Sequence, residues 1–204
     1  MIKIIDYRAG NAPSVLNAVN RLGYEAELAR SSRELEGASR IILPGVGSAR
    51  ATMDSLRETG LLNAAENAVL RDKIPFLGIC VGLQILFEYS EEENTDCLGW
   101  LKGRVVRFDA SRVRVPQMGW NHVRFVKKAA FEARGGYFYF VNSFAAVPED
   151  GDDLWGTADY NGPFAAAVCR DNINAFQFHA EKSGEAGLAL LNGFLRAGNG
   201  GKKC

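Results

Sequence analysis

The sequence predicts an α/β protein with an open, mostly parallel central sheet, flanking helices and an antiparallel extension in its second half. Three observations carry that expectation. The first half alternates short apolar runs with amphipathic helical ones, the pattern of a parallel sheet covered on both faces. The second half becomes a succession of strand-like runs separated by turn residues. Between the two lies the stretch PFLGICVGLQ (75–84), where an apolar run meets a helical one at a cysteine set between glycines. Open sheets of this kind bind ligands beyond the carboxyl ends of their strands, and Cys80 falls at such an end.

Taken in order, IKIIDY (2–7) reads as a strand and 12–24 as a helix, with Val15, Leu16, Val19 and Leu22 at helical spacing. Asn11 suits its N-cap and Pro13 its first turn. YEAELAR and RIILPG (40–45) are the second and third strands. Residues 49–72 form a helix broken near Gly60. A buried strand at 74–79 and a buried helix from Val81 to Phe87 flank Cys80. GRVVRFD, NHVRFVKK, YFYFVNSFAAV, DLWGTADY, AAAVCR and INAFQFHAE supply the later strands, several pairing antiparallel. A last helix covers 184–198, with Leu188, Leu191, Phe194 and Leu195 on one face, and 198–204 is a frayed tail. Without linker, repeat or low-complexity block, residues 1–204 read as one domain.

The 204 residues carry 24 basic and 24 acidic side chains, a balance that argues against nucleic acid or an anionic membrane as partner. No run has membrane-span length and no signal peptide precedes the first strand, which predicts a cytoplasmic protein with reduced thiols. The four cysteines lack metal-ligand spacing, and YRAGN lacks phosphate-loop spacing, so neither a metal nor a cofactor is expected.

The sequence GICVG is a cysteine version of the G-x-S-x-G nucleophile elbow, in which a strained turn exposes a nucleophile above a sheet. A thiol attacks as thiolate and needs a nearby base. Of the two histidines, His179 ends an apolar strand and has Glu181 two residues on. In an extended chain these two side chains share a side, so the carboxylate can orient the imidazole. His122 has no carboxylate at useful spacing and reads as a strand residue. Cys97, Cys169 and Cys204 read as structural or incidental, and Glu91 to Glu93 as a solvated helix end or loop. Candidate oxyanion donors are the N–H of Val81 and the loop LPGVGSA (43–49) around Val46 and Gly47, such donors contributing about 2.7–4 kcal/mol each. Gln84 lies one helical turn after Cys80, hence beside it.

In this order, LPGVG, GICVGLQ, PQMGWN, YFV and FQFHAEKSG resemble the class I glutamine amidotransferases. With DYRAGN they are most similar to the glutaminase subunits of imidazole glycerol phosphate synthases. The resemblance spans nearly the whole chain. It implies that glutamine is hydrolysed to glutamate through a Cys80 thioester. It further implies that the ammonia passes to a (βα)₈-barrel synthase subunit that makes imidazole glycerol phosphate and aminoimidazole carboxamide ribotide. It also implies glutamine contacts at Gly47, Gln84, Ser143 and Phe144, and puts Asn11, Met118, Trp120, Asn121, Tyr139 and Lys182 near the partner interface. The chain departs from the family pattern at Asn142 and Phe144, where FVHSY is frequent, and at Ala180, where a proline is usual. Alternatives are a paralogue feeding another synthase, such as one amidating a surface sugar, or a catalytically idle scaffold.

Overall fold

The computed structural model describes residues 1–8 and 11–197; the predicted frayed tail 198–204 lies outside them. The parallel core consists of β1 (Ile2–Ile5), β2 (Ala26–Ala29), β3 (Arg40–Leu43) and β4 (Phe76–Ile79), joined on the far side by β13 (Ile173–Phe176). The spatial order is β2-β1-β3-β4-β13, every pair parallel. All four residues of β4 are buried, as expected of a strand covered on both faces. Helix α1 (Ala12–Arg21) turns Val15, Ala18 and Val19 inward. A single turn, α2 (Ser32–Leu35), precedes β3. The 49–72 segment divides into α3 (Ala49–Glu58), α4 (Leu61–Glu66) and a π-helical end at Asn67–Arg71. The break falls at Gly60, whose φ of 71° an L side chain rarely adopts.

The helix after Cys80 is shorter than its apolar content predicts. α5 spans only Val81–Gln84, because the chain turns back at Ile85–Phe87 to form the β5 (Tyr89–Ser90) and β6 (Thr95–Asp96) hairpin. Apolar run length reports burial and does not fix the helical state.

The antiparallel extension holds β7 (Gly103–Arg107), β8 (Gln117–Phe125), β9 (Gly136–Asn142), β10 (Phe144–Pro148), β11 (Leu154–Asp159) and β12 (Pro163–Arg170). β13 continues into it through β12, then β10, β7, β5 and β6; β11 pairs β12 and β8, and β8 pairs β9. α6 (Gly184–Arg196) packs Leu190, Leu191, Phe194 and Leu195 inward. An aromatic chain ties the two parts together. Phe176 stacks on Phe178 at 4.9 Å, and Phe178 on Phe138 of β9 at 4.3 Å. Each such pair adds about 0.5–1.5 kcal/mol beyond burial. It also fixes where the residue after Phe178 emerges.

Candidate active site

Cys80 sits at φ 56°, ψ −108° between β4 and α5. The flanking glycines explain how the chain reaches this strained geometry. A Cβ on Gly78 would collide with the Gly82 carbonyl, and one on Gly82 with the Leu43 carbonyl. The turn is thus wedged between its own helix and β3 with no room for side chains. The Cys80 N–H donates to Phe176 O at 2.7 Å, and Cys80 O accepts from Gln84 N at 3.2 Å, which puts Gln84 beside the cysteine as its spacing predicts. The Val81 N–H opens α5, where no intrahelical acceptor exists.

His179 lies three residues beyond the end of β13. Its backbone N–H donates to Tyr139 O at 2.9 Å, so β9 holds it in place. Its ring lines the same cleft as Cys80 and interacts with it electrostatically, and its Nδ1 lies 2.9 Å from Glu181 Oε1. The pairing with Glu181 arises differently from the strand alternation expected. Ala180–Lys182 is a 3₁₀ turn, and that turn folds the carboxylate back under the ring. Ser183 stabilises it, its hydroxyl donating to His179 O at 2.6 Å and accepting from Tyr139 N at 3.0 Å. A carboxylate only accepts, so Nδ1 carries a proton in either charge state of the ring, and Nε2 is the nitrogen that exchanges a proton with Cys80. The side chains of His179 and Glu181 are 2% and 1% exposed, so Glu181 is no surface acid. Burial pulls the His179 pKa down, but hydrogen bonds and charge from Cys80 and Glu181 outweigh it and lift the ring to about 10.

Asn11 occupies the N-cap position of α1, yet its side chain makes no capping bond. The amide instead donates to Glu181 Oε1 at 2.7 Å. His179, Glu181 and Asn11 therefore form one hydrogen-bonded line that runs from beside Cys80 to the start of α1.

A cleft of about 300 Å³ opens beside Cys80. Val46, Gly47, Val81, Gln84, Ser143, Phe144, His179 and Lys182 line it, so the sequence-predicted oxyanion and substrate residues converge there. Lys182, expected at an interface, also reaches the cleft. The 43–49 loop enters from above, with Gly47 at φ 103°. The Tyr7 hydroxyl packs against the loop at Gly45; it is buried, contacts Thr52 Oγ1 at 3.4 Å, and burial pushes its pKa up to about 12. Glu92 also lines the cleft, contrary to its expected place in a solvated segment. It is half-buried in the β5–β6 turn and accepts the Ala49 N–H at 2.7 Å, holding the loop's exit into α3. Burial pushes its pKa up. Three adjacent glutamates give no sign of which one turns inward.

The other interface residues lie on the β8–β9 hairpin. Met118 and Trp120 are 66% and 57% exposed; Tyr139, directly opposite Trp120, is half-buried against its ring. Asn121 points elsewhere and donates to Asp159 O at 2.8 Å. Tyr137, 63% exposed opposite His122, extends the same face and was not predicted. Period-two alternation past Trp120 and Tyr139 would have found it.

With elbow, paired imidazole and cleft in view, the class is defined: the chain belongs to the class-I glutamine amidotransferase family, which it matches over residues 3–197. Among particular relatives, it is 45% identical over 207 aligned positions to the imidazole glycerol phosphate synthase subunit HisH of Dehalococcoides mccartyi, covering 100% of both chains. It is 40% identical over 201 positions to the chloroplastic imidazole glycerol phosphate synthase hisHF of Arabidopsis thaliana, covering 96% of this chain and 34% of the plant protein. A crystal structure of a glutamine amidotransferase superposes with a TM-score of 0.77 at 20% identity, covering 97% of this chain and 98% of that one, and shares the fold.

Proposed function

We propose that this chain is the glutaminase subunit of an imidazole glycerol phosphate synthase, acting with a (βα)₈-barrel synthase subunit. The observation that carries the reading is the buried line His179–Glu181–Asn11 set beside Cys80 in one cleft of amino-acid size. With the Cys80 proton held on His179 Nε2, Sγ attacks the side-chain carboxamide carbon of glutamine. The oxyanion is held by N–H groups at Val81 and at Val46–Gly47. As the C–N bond breaks, His179 returns the proton to the departing ammonia. Water, deprotonated by His179, then cleaves the thioester; glutamate leaves and the thiol is restored. Gln84, Ser143 and Phe144 orient the substrate within the cleft.

The exposed Met118, Trp120 and Tyr137 beside half-buried Tyr139 give the hairpin the aromatic character of a docking face. The names of the relatives favour the imidazole glycerol phosphate reading over a surface-sugar paralogue. That the chain aligns with only 34% of the Arabidopsis protein is consistent with a synthase module in the rest of that length. The continuous strand pairing from β2 to β6 supports reading the chain as one domain. Cys80→Ala is expected to abolish glutamate release, and the unaltered chain to hydrolyse glutamine faster once a barrel subunit and its nucleotide ligand are added. Undiminished turnover in Cys80→Ala refutes the nucleophile. A fast rate independent of partner refutes coupled delivery.

A further inference from the structure

The FQFHAEKSG segment contributes a histidine and a glutamate to the reading above, but its glutamine has no part in it. Gln177 is fully buried, two residues before His179. Burying an amide is costly unless its atoms are hydrogen-bonded, so its partners show what the site requires of it. The Gln177 Nε2 lies 3.7 Å from Cys80 Sγ, and its Oε1 accepts from Gln84 Nε2 at 3.0 Å.

The direction of this chain of amides is fixed from its far end. The Phe144 carbonyl is an acceptor that cannot flip, and it receives Gln84 Nε2 at 3.3 Å and Asn142 Nδ2 at 2.9 Å. Gln84 must therefore present its NH₂ group there, and the same NH₂ meets Gln177. Gln177 must answer with its oxygen, which turns its own NH₂ toward the sulfur. The reverse orientation would set two donors against each other. Around Sγ two contacts then oppose one another. Val141 O, at 3.8 Å, accepts from the S–H and favours the thiol. The Gln177 N–H donates and favours the thiolate.

We infer that Gln177 is a thiolate-stabilising residue, an N–H donor aimed at Cys80 Sγ and held in that orientation by Gln84 and the Phe144 carbonyl. The inference rests on the reading of Cys80 as nucleophile. When the Cys80 proton passes to His179, the sulfur gains negative charge and the Gln177 hydrogen bond strengthens as a charge-assisted one. Because Gln84 also lines the cleft, a substrate that engages Gln84 pulls on the same chain of amides.

The test is the pH dependence of Cys80 alkylation by iodoacetamide, followed peptide by peptide so that Cys97 serves as an internal reference. Gln177→Met keeps the length and removes the donor. Its Cys80 alkylation at pH 7 is expected to be about tenfold slower than wild type, with the half-maximal rate reached about one pH unit higher. The Cys97 profile is expected to be unchanged. Gln177→Glu, which keeps the oxygen for Gln84 and sets an acceptor against sulfur, is expected to move the Cys80 profile further the same way. It carries the test if Gln177→Met loses its cooperative melt. A folded variant whose Cys80 profile overlays the wild type overturns the role of Gln177. Failure of the underlying reading looks different: wild-type Cys80 alkylated no faster than Cys97.

Discussion

The two sides of the cleft are built on different principles. Cys80 is held by backbone sterics: a positive φ, two glycines with no room for a Cβ, and a turn wedged against β3. His179 is held by hydrogen bonds: Tyr139 from β9, Ser183 within its own turn, and Asn11 of α1 by way of Glu181. A sterically held atom cannot drift without breaking the fold. An atom held by a polar network moves when any of several distant elements moves. In the proposed function the nucleophile is thus the fixed point and the base the adjustable one. Both outer tethers of the base lead toward predicted partner surface: Asn11 at the head of α1, and Tyr139 on the exposed hairpin.

The harshest way to break this contrast is at the elbow. Gly82→Ala is expected to cost about 3 kcal/mol or more of stability, since its new methyl meets the backbone carbonyl of Leu43 and no flexible side chain can yield. Denaturant unfolding measures it, and a near-neutral value removes the steric half of the comparison. On the opposite side, His179→Asn is expected to remain folded, because asparagine can still donate to Glu181. Its kcat for glutamate release is expected to fall roughly 10²–10⁴-fold. Loss of the fold instead would make the two sides alike.

Asn11→Ala sharpens the contrast further out. It removes a hydrogen bond to a buried carboxylate, worth about 1.5–3 kcal/mol. The kcat is expected to fall about tenfold with KM nearly unchanged, and steady-state kinetics decide it. A last perturbation changes only protons. The folded-state pKa of His179 is raised from 6.5 to about 10, so the folded chain holds this proton more tightly than the unfolded one. The resulting stability is full below pH 6.5 and is lost as pH rises through about 10. The difference in unfolding free energy between wild type and His179→Asn is expected to shrink across that window. A difference constant from pH 6 to 10 contradicts the raised value.

These two modes of construction also decide what could be read from the sequence. Sterically dictated features were legible, because glycine at 78 and 82 is a local signal and β4 is an uninterrupted apolar run. Parallel β1 to β4 and the predicted antiparallel strands follow from periodicities of the same local kind. Features made by a polar network were legible only as residue types. Nothing local shows that Glu181 reaches His179 through a 3₁₀ turn, that Asn11 spends its amide on Glu181 instead of on its cap, or that Glu92 turns inward to hold Ala49. Gln177 shows the limit most clearly. Its neighbours Phe176 and Phe178 mark a buried segment, but its partners Gln84 and Cys80 are more than ninety positions away. The early end of α5 had no signal either, since Ile85, Leu86 and Phe87 are buried just as helical residues there would be.

The central claim is that Cys80 and His179 act together on a glutamine carboxamide. Its most direct measurement is mass spectrometry of the chain after incubation with 6-diazo-5-oxo-L-norleucine, a glutamine-like electrophile, beside the His179→Asn variant. The account predicts one adduct per chain, on Cys80, forming at least a hundredfold more slowly in the variant, in line with the roughly 10²-fold or greater contribution of a positioned base. A label on Cys97 or Cys169 in place of Cys80, or equal labelling of Cys80 in both proteins, would contradict it.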